Sequence, residues 1–219
     1  MKIPFNVYDF FAYLAAGLVV GVAMDVSVGD SWALRPELPP SAYALLLAGA
    51  YVLGHTVAHI SALLLETGLV KRVLEPPYTR LMTSTKGRFW HLVFPGYHAP
   101  LPPALIAKIR DKAGAPGATL EGEALFLHAF AKVTQDAQQR DRLDSFRNLY
   151  GFARNMCVAC AVAAALLWWG VGPSANIPDW LPSAALVAAV VMLYRYLKFF
   201  RLYTHQLLVV YSEWSQPTA

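Results

Sequence analysis

"SAYALLLAGAYVLGHTVAHISALLLE", Ser41 to Glu66, decides how this chain folds. It holds no Asp, Lys or Arg, and its only Glu is its last residue. A helix rising about 1.5 Å per residue needs roughly 20 such residues to cross about 30 Å of hydrocarbon. The stretch therefore reads as a membrane span. Yet it carries His55 and His59, four residues apart, and closes on Glu66.

At about 100° per residue, His55, His59 and Glu66 fall on one polar seam of a helix. Ala50, Gly54, Ala58 and Ala62 form a second seam beside it, small residues spaced by four. Such a surface lets a neighbouring helix approach closely. This span is expected to face protein over much of its surface, with the histidines turned inward. His55 would lie near the bilayer centre and Glu66 at the cytoplasmic mouth.

Three more stretches have span length. They are Tyr8 to Gly29, "YDFFAYLAAGLVVGVAMDVSVG"; Gly151 to Gly172, "GFARNMCVACAVAAALLWWGVG"; and Trp180 to Phe200, "WLPSAALVAAVVMLYRYLKFF". The composition agrees: 57% of the 219 residues are hydrophobic and 15% charged, against about 25% charged in soluble domains. The first span has one leading lysine and no small-x-small cleavage site at a sensible distance, so it reads as a retained helix. The fold class expected is an all-α polytopic membrane protein. Its four transmembrane helices would form two hairpins, with a helical cytoplasmic insertion between spans two and three.

Orientation follows from the basic residues. Twelve of the 18 Lys and Arg lie between Glu66 and Tyr150. Lys2 precedes the first span, Arg154 opens the third, and Arg195, Lys198 and Arg201 mark the end of the fourth. Only Arg35 falls in a short connection. Both termini and the central block are therefore expected in the cytoplasm of a multi-pass protein of a bacterial inner membrane. The organisation expected is a first hairpin at 1–66, a cytoplasmic helical block at 67–150, a second hairpin at 151–200 and a cytoplasmic helical extension at 201–219.

Within the block, Pro76-Pro77 should break the helix leaving the second span, and "PALIAKIRDKAG" should form a short helix ending at Gly114. The aromatic, proline-rich "FWHLVFPGYHAPLPP" reads as irregular structure. The stretch from Thr119 onward has long helical periodicity, with Leu125, Phe126, Phe130, Val133 and Ala137 able to share one face. It is expected to run straight into the third span. Helical composition also continues beyond the fourth span, where Arg195, Lys198 and Arg201 read as a membrane-interface anchor that contacts lipid headgroups. Three basic residues do not favour nucleic acid as a partner.

The histidines admit three readings. They hydrogen-bond between helices; with Glu66, and with Asp9 if it turns inward, they line a proton-sensitive path; or His55 and His59 hold Zn or Fe, as an i, i+4 pair can. The third reading lacks the Glu that follows the first His in zinc-protease helices, and would need His91 or His98 to fold back toward the membrane. Cys157 and Cys160, the only cysteines, sit in an apolar run with no second pair and read as packing residues.

The function expected is a homo-oligomeric inner-membrane channel or pore, or a membrane effector or sensor subunit coupled to a cytoplasmic protein partner. No catalytic residue and no cofactor is assigned, and enzymatic chemistry is not favoured. The alternatives are a membrane-embedded metal-dependent enzyme acting on lipid or a lipid-linked substrate, and a structural membrane scaffold.

Overall fold

A computed structural model describes residues 7–29, 38–83, 93–114, 120–170 and 177–214, with backbone alone for residues 7–9. The described residues are helical, with no strand among them. In chain order they form α1 (Val7–Val28), α2 (Pro40–Ser61), a π-helical segment (Ala62–Leu74), α3 (Pro77–Arg80), α4 (Pro95–His98), α5 (Pro103–Ala113), α6 (Gly122–Val133), α7 (Ala137–Trp169) and α8 (Trp180–Glu213).

Four of these stretches are long and apolar enough to cross a membrane: Phe10–Val28, Pro40–Arg80, Ala137–Trp169 and Trp180–Glu213. In the most apolar window of Ala137–Trp169, 50% of residues are buried, against 17% in Trp180–Glu213. The third span is thus the one most enclosed by other helices, and the fourth offers most of its surface to its surroundings.

The chain divides into two compact units, Met1–Gly68 with Gly151–Tyr196, and Leu69–Tyr150 with Leu197–Ala219. In the first unit, Ala16 and Val20 of α1, Val57 of α2 and Val158 and Ala159 of α7 form one buried cluster. Ala23, Ala163 and Leu167 form another, with Leu181 packed against it. Small side chains dominate these contacts because, without a hydrophobic force between helices in lipid, close backbone approach supplies the attraction.

The second unit has a core more like that of a soluble domain. Ile109 and Ala113 of α5 meet Leu125, Ala129 and Val133 of α6, Leu143 of α7, and Tyr203, Leu207, Leu208 and Tyr211 of α8. The spacing of Leu125, Ala129 and Val133 is a buried i, i+4, i+8 stripe. Phe126 and Phe130 pack at its edge, whereas Ala137, expected on the same face, is exposed.

Ala137 is displaced because the helix from Gly122 does not run into the third span. It ends at Val133, turns through Thr134–Asp136, and α7 begins afresh. Asp136 starts it, its Oδ1 accepting from the backbone N–H of Gln138 at 2.7 Å and Gln139 at 3.4 Å. A short acidic side chain at that position satisfies amides that a helix start leaves open. From Ala137 to Trp169 the helix is continuous, as is α8 from Trp180 to Glu213.

The Pro76-Pro77 break is where the sequence puts it. Helical geometry stops at Leu74, and Glu75 takes φ 62°, a left-handed conformation unfavourable for a residue with a Cβ. The Tyr97 hydroxyl donates to the Glu75 carbonyl at 2.8 Å, and Arg80 Nε lies 3.2 Å from its carboxylate. α5 closes at Gly114, as expected.

Candidate functional site: the polar features of the second span

α1 and α2 cross at two glycines. A Cβ built on Gly17 would overlap the carbonyl oxygen of Ala50, and one on Gly54 would overlap the carbonyl oxygen of Tyr13. Four residues back on one helix matches four forward on the other, so the two run in opposite senses. Ala50, Gly54 and Ala58 are buried in this contact, and Ala62 is half-buried at the start of the π-helical segment. The complementary feature on α1 was legible as Gly17-x-x-x-Gly21, but only Gly17 is needed for contact. A Cβ on Gly21 would come no nearer than 3.9 Å to Leu53.

This crossing decides where the histidines go. His55 follows Gly54 and is turned about 100° from it around the helix. With α1 seated on Gly54, His55 is carried to the rim. Its ring stacks on Tyr13 at 4.2 Å and meets the edge of Tyr51 at 4.6 Å, and Phe10 lies 5.1 Å from Tyr51. Contrary to the inward placement expected from the sequence, both His55 and His59 are exposed in the single chain. Val52, Thr56, Ile60 and Leu63 are exposed beside them, so the uncovered surface is a stripe at helical spacing. The His59 side chain has no hydrogen-bond, ion-pair or ring contact among the described residues.

Glu66 leaves the histidine seam. It lies within the π-helical segment Ala62–Leu74, whose i→i+5 turns advance each residue less than α-helical ones do. The α-helical wheel that aligned Glu66 with His55 does not apply past Ser61. Glu66 instead pairs with Nη1 of Arg154 on α7. Arg154 Nε and Nη2 also donate to Asn155 Oδ1, at 3.3 and 3.2 Å. Ser61 Oγ donates to the same oxygen at 2.8 Å and lies 2.9 Å from the Ala58 carbonyl.

Ser61 is fully buried and Asn155 is 2% exposed. The network therefore joins a guanidinium, a carboxylate, an amide and a hydroxyl inside an apolar unit, where each would be costly alone. Arg154 and Asn155 are the functional candidates that sequence reasoning missed as site residues. In the sequence Arg154 marks the orientation of the third span, and a cation followed by an amide at the opening of an apolar helix is the signal that both need partners.

The remaining candidates are placed as follows. The Asp9 side chain lies outside the described residues, as does His91. His98 is buried in the second unit, its ring 5.2 Å from that of Tyr97. Arg195 and Lys198 are exposed; Arg201 is half-buried, its Nη2 donating to the Ala99 carbonyl at 2.9 Å. Cys157 and Cys160 are buried free thiols. Among the described residues no three His, Cys, Asp or Glu side chains are grouped to hold a metal ion.

Among the described residues, an all-helical architecture with four helices long and apolar enough to span a membrane supports a multi-pass membrane protein. No protein-family model, curated protein or solved structure matches the chain.

Proposed function

We propose that the chain is a subunit of a homo-oligomeric channel or pore-forming effector of a bacterial inner membrane, with both termini and the second unit in the cytoplasm. In this reading the spans form two hairpins and the second unit is the insertion between them together with the C-terminal extension. Several copies surround a path to which α2 presents the stripe containing His55 and His59.

The observation that carries the reading is the exposure of His59 and His55 within a span. A polar ring facing hydrocarbon without a partner costs several kcal/mol. The close-packed seam of α2 is already occupied by α1. The exposed stripe is therefore satisfied by water or by another copy, and an oligomer around an aqueous path supplies both. Four spans alone enclose little lumen, which makes several copies a geometric need of any pore. The Glu66–Arg154–Asn155–Ser61 network would lock α2 to α7 and hold the stripe in place.

The experiment is reconstitution of the full chain in liposomes, with ion flux followed from pH 5.5 to 8. The reading predicts flux, and an altered pH dependence in His55→Ala and His59→Ala with assembly unchanged. Absence of flux at every pH, or flux in both variants indistinguishable from the parent, would overturn it.

A further inference from the structure

In the second unit, a cavity of about 280 Å³ opens where the ends of α5 and α8 meet the flank of α6. Its walls carry Lys112, His128, Lys132, Tyr211 and Trp214. From these side chains we infer that it is a binding site for a small phosphate-bearing molecule with an aromatic or heterocyclic ring.

His128 and Lys132 are four apart on α6 and so share one face. The Lys132 ammonium has no ion-pair or hydrogen-bond partner among the described residues. The His128 ring meets the edge of Tyr211 at 5.8 Å, which fixes its plane at the cavity wall. Lysine binds phosphate as a point charge, and a neighbouring imidazole adds a directed donor.

Lys112 has a different task. Its ammonium donates to the Trp214 carbonyl and lies 3.4 Å from that of Ser212, and it sits 5.7 Å over the Tyr211 ring. A helix C-terminus is a negative end that would repel an anion. Lys112 lies in the last turn of α5 and its ammonium reaches the end of α8, so one cation opposes both of the helix ends that border the cavity, and Lys132 remains to meet an anion.

Half-buried Trp214 supplies the ring face of the site, while Tyr211, 2% exposed, backs the cavity from the core with the Lys112 ammonium over its ring. Ring faces beside a cationic group are the arrangement on which planar heterocycles stack. A simple solvated basic face would need neither a concave shape nor an accessible tryptophan in its wall. The volume of about 280 Å³ lies just below the usual range of ligand pockets and suits a small molecule, no larger than a mononucleotide, rather than a polymer. The site is independent of the channel reading, because it lies within one chain and binding does not require assembly.

The test is calorimetric titration of the full chain in detergent with AMP, GMP, CMP and UMP. Inorganic phosphate and glycerol 3-phosphate serve as ring-free probes, the latter standing for a lipid headgroup. At least one mononucleotide should bind at least about tenfold tighter than either ring-free probe, as stacking on an aromatic side chain implies. Lys132→Met and Trp214→Ala should each weaken it by at least about fivefold, with helical circular dichroism unchanged. No mononucleotide binding up to about 1 mM would overturn the assignment. So would equal affinity for the ring-free probes, or binding insensitive to Lys132→Met.

Discussion

Replacing Gly17 by Ala adds one methyl group where no space exists. Its Cβ would overlap the Ala50 carbonyl oxygen and crowd the backbone nitrogen of Gly54 at 2.8 Å. Neither atom belongs to a flexible side chain, so relief requires α1 and α2 to move apart by roughly 1 Å or more. A gap of about 0.5–1 Å forfeits a quarter to a half of each dispersion contact it opens, and overpacked sites typically cost about 1–3 kcal/mol. We expect a loss of about 2–3 kcal/mol for Gly17→Ala and the same for Gly54→Ala. Because one separation relieves both overlaps, the double variant should cost clearly less than the two losses added.

Gly21→Ala is the control on the same helix. Its Cβ would find only ordinary contact with Leu53, at 3.9 Å, so the change should be neutral or should stabilise by up to about 1 kcal/mol through helix propensity. The assay is reversible unfolding in mixed micelles with increasing dodecyl sulfate, followed by far-ultraviolet circular dichroism. If Gly17→Ala unfolds at the same denaturant fraction as Gly21→Ala, the two helices do not cross at Gly17 and the reasoning fails.

In the same assay Arg154→Met should lose about 1–3 kcal/mol, below the usual range for a buried pair because Glu66 is a third exposed. Ser61→Ala should lose about 1 kcal/mol, because Asn155 Oδ1 keeps its two Arg154 bonds; a larger loss for Ser61→Ala than for Arg154→Met would contradict the network. Tyr97 gives a prediction at alkaline pH. Burial raises the phenol above its ordinary value of about 10, so the folded state keeps the proton that the unfolded state gives up. Its contribution is complete below pH 10 and is lost progressively above it. Tyr97→Phe should therefore show a weaker fall in stability between pH 10 and 11.5 than the parent, and identical slopes would refute the assignment.

The sequence exposed some of this arrangement and hid the rest for identifiable reasons. Apolar stretches long enough to span a bilayer, the double-proline break and the Gly114 helix end are local signals, and each appears in the structure where composition puts it. The break before α7 was overlooked because Thr134, Gln135 and Asp136 contain neither Gly nor Pro, although Asp136 is a good N-terminal cap. The histidine orientation failed for a geometric reason. The small-residue seam and the histidines were both assigned to the interior, yet with α1 seated against Gly54 its neighbour His55 is carried to the rim. Glu66 left the polar seam because the wheel assumed α-helical rotation through Ala62–Leu74. Its pairing with Arg154 joins residues 88 positions apart, and no periodicity within one helix encodes such a contact.

The most direct measurement is a cysteine scan of α2 in native membranes, with Cys157 and Cys160 replaced by Ala. Single cysteines at Val52, His55, Thr56, His59, Ile60 and Leu63 would be oxidised, and disulfide-linked dimers read on non-reducing gels. Assembly through the histidine stripe predicts inter-copy bands at several of these positions, and none at the buried Val57 or Ala58. No band at any stripe position, or bands of equal strength at the buried ones, would contradict an oligomer built on this face of the second span.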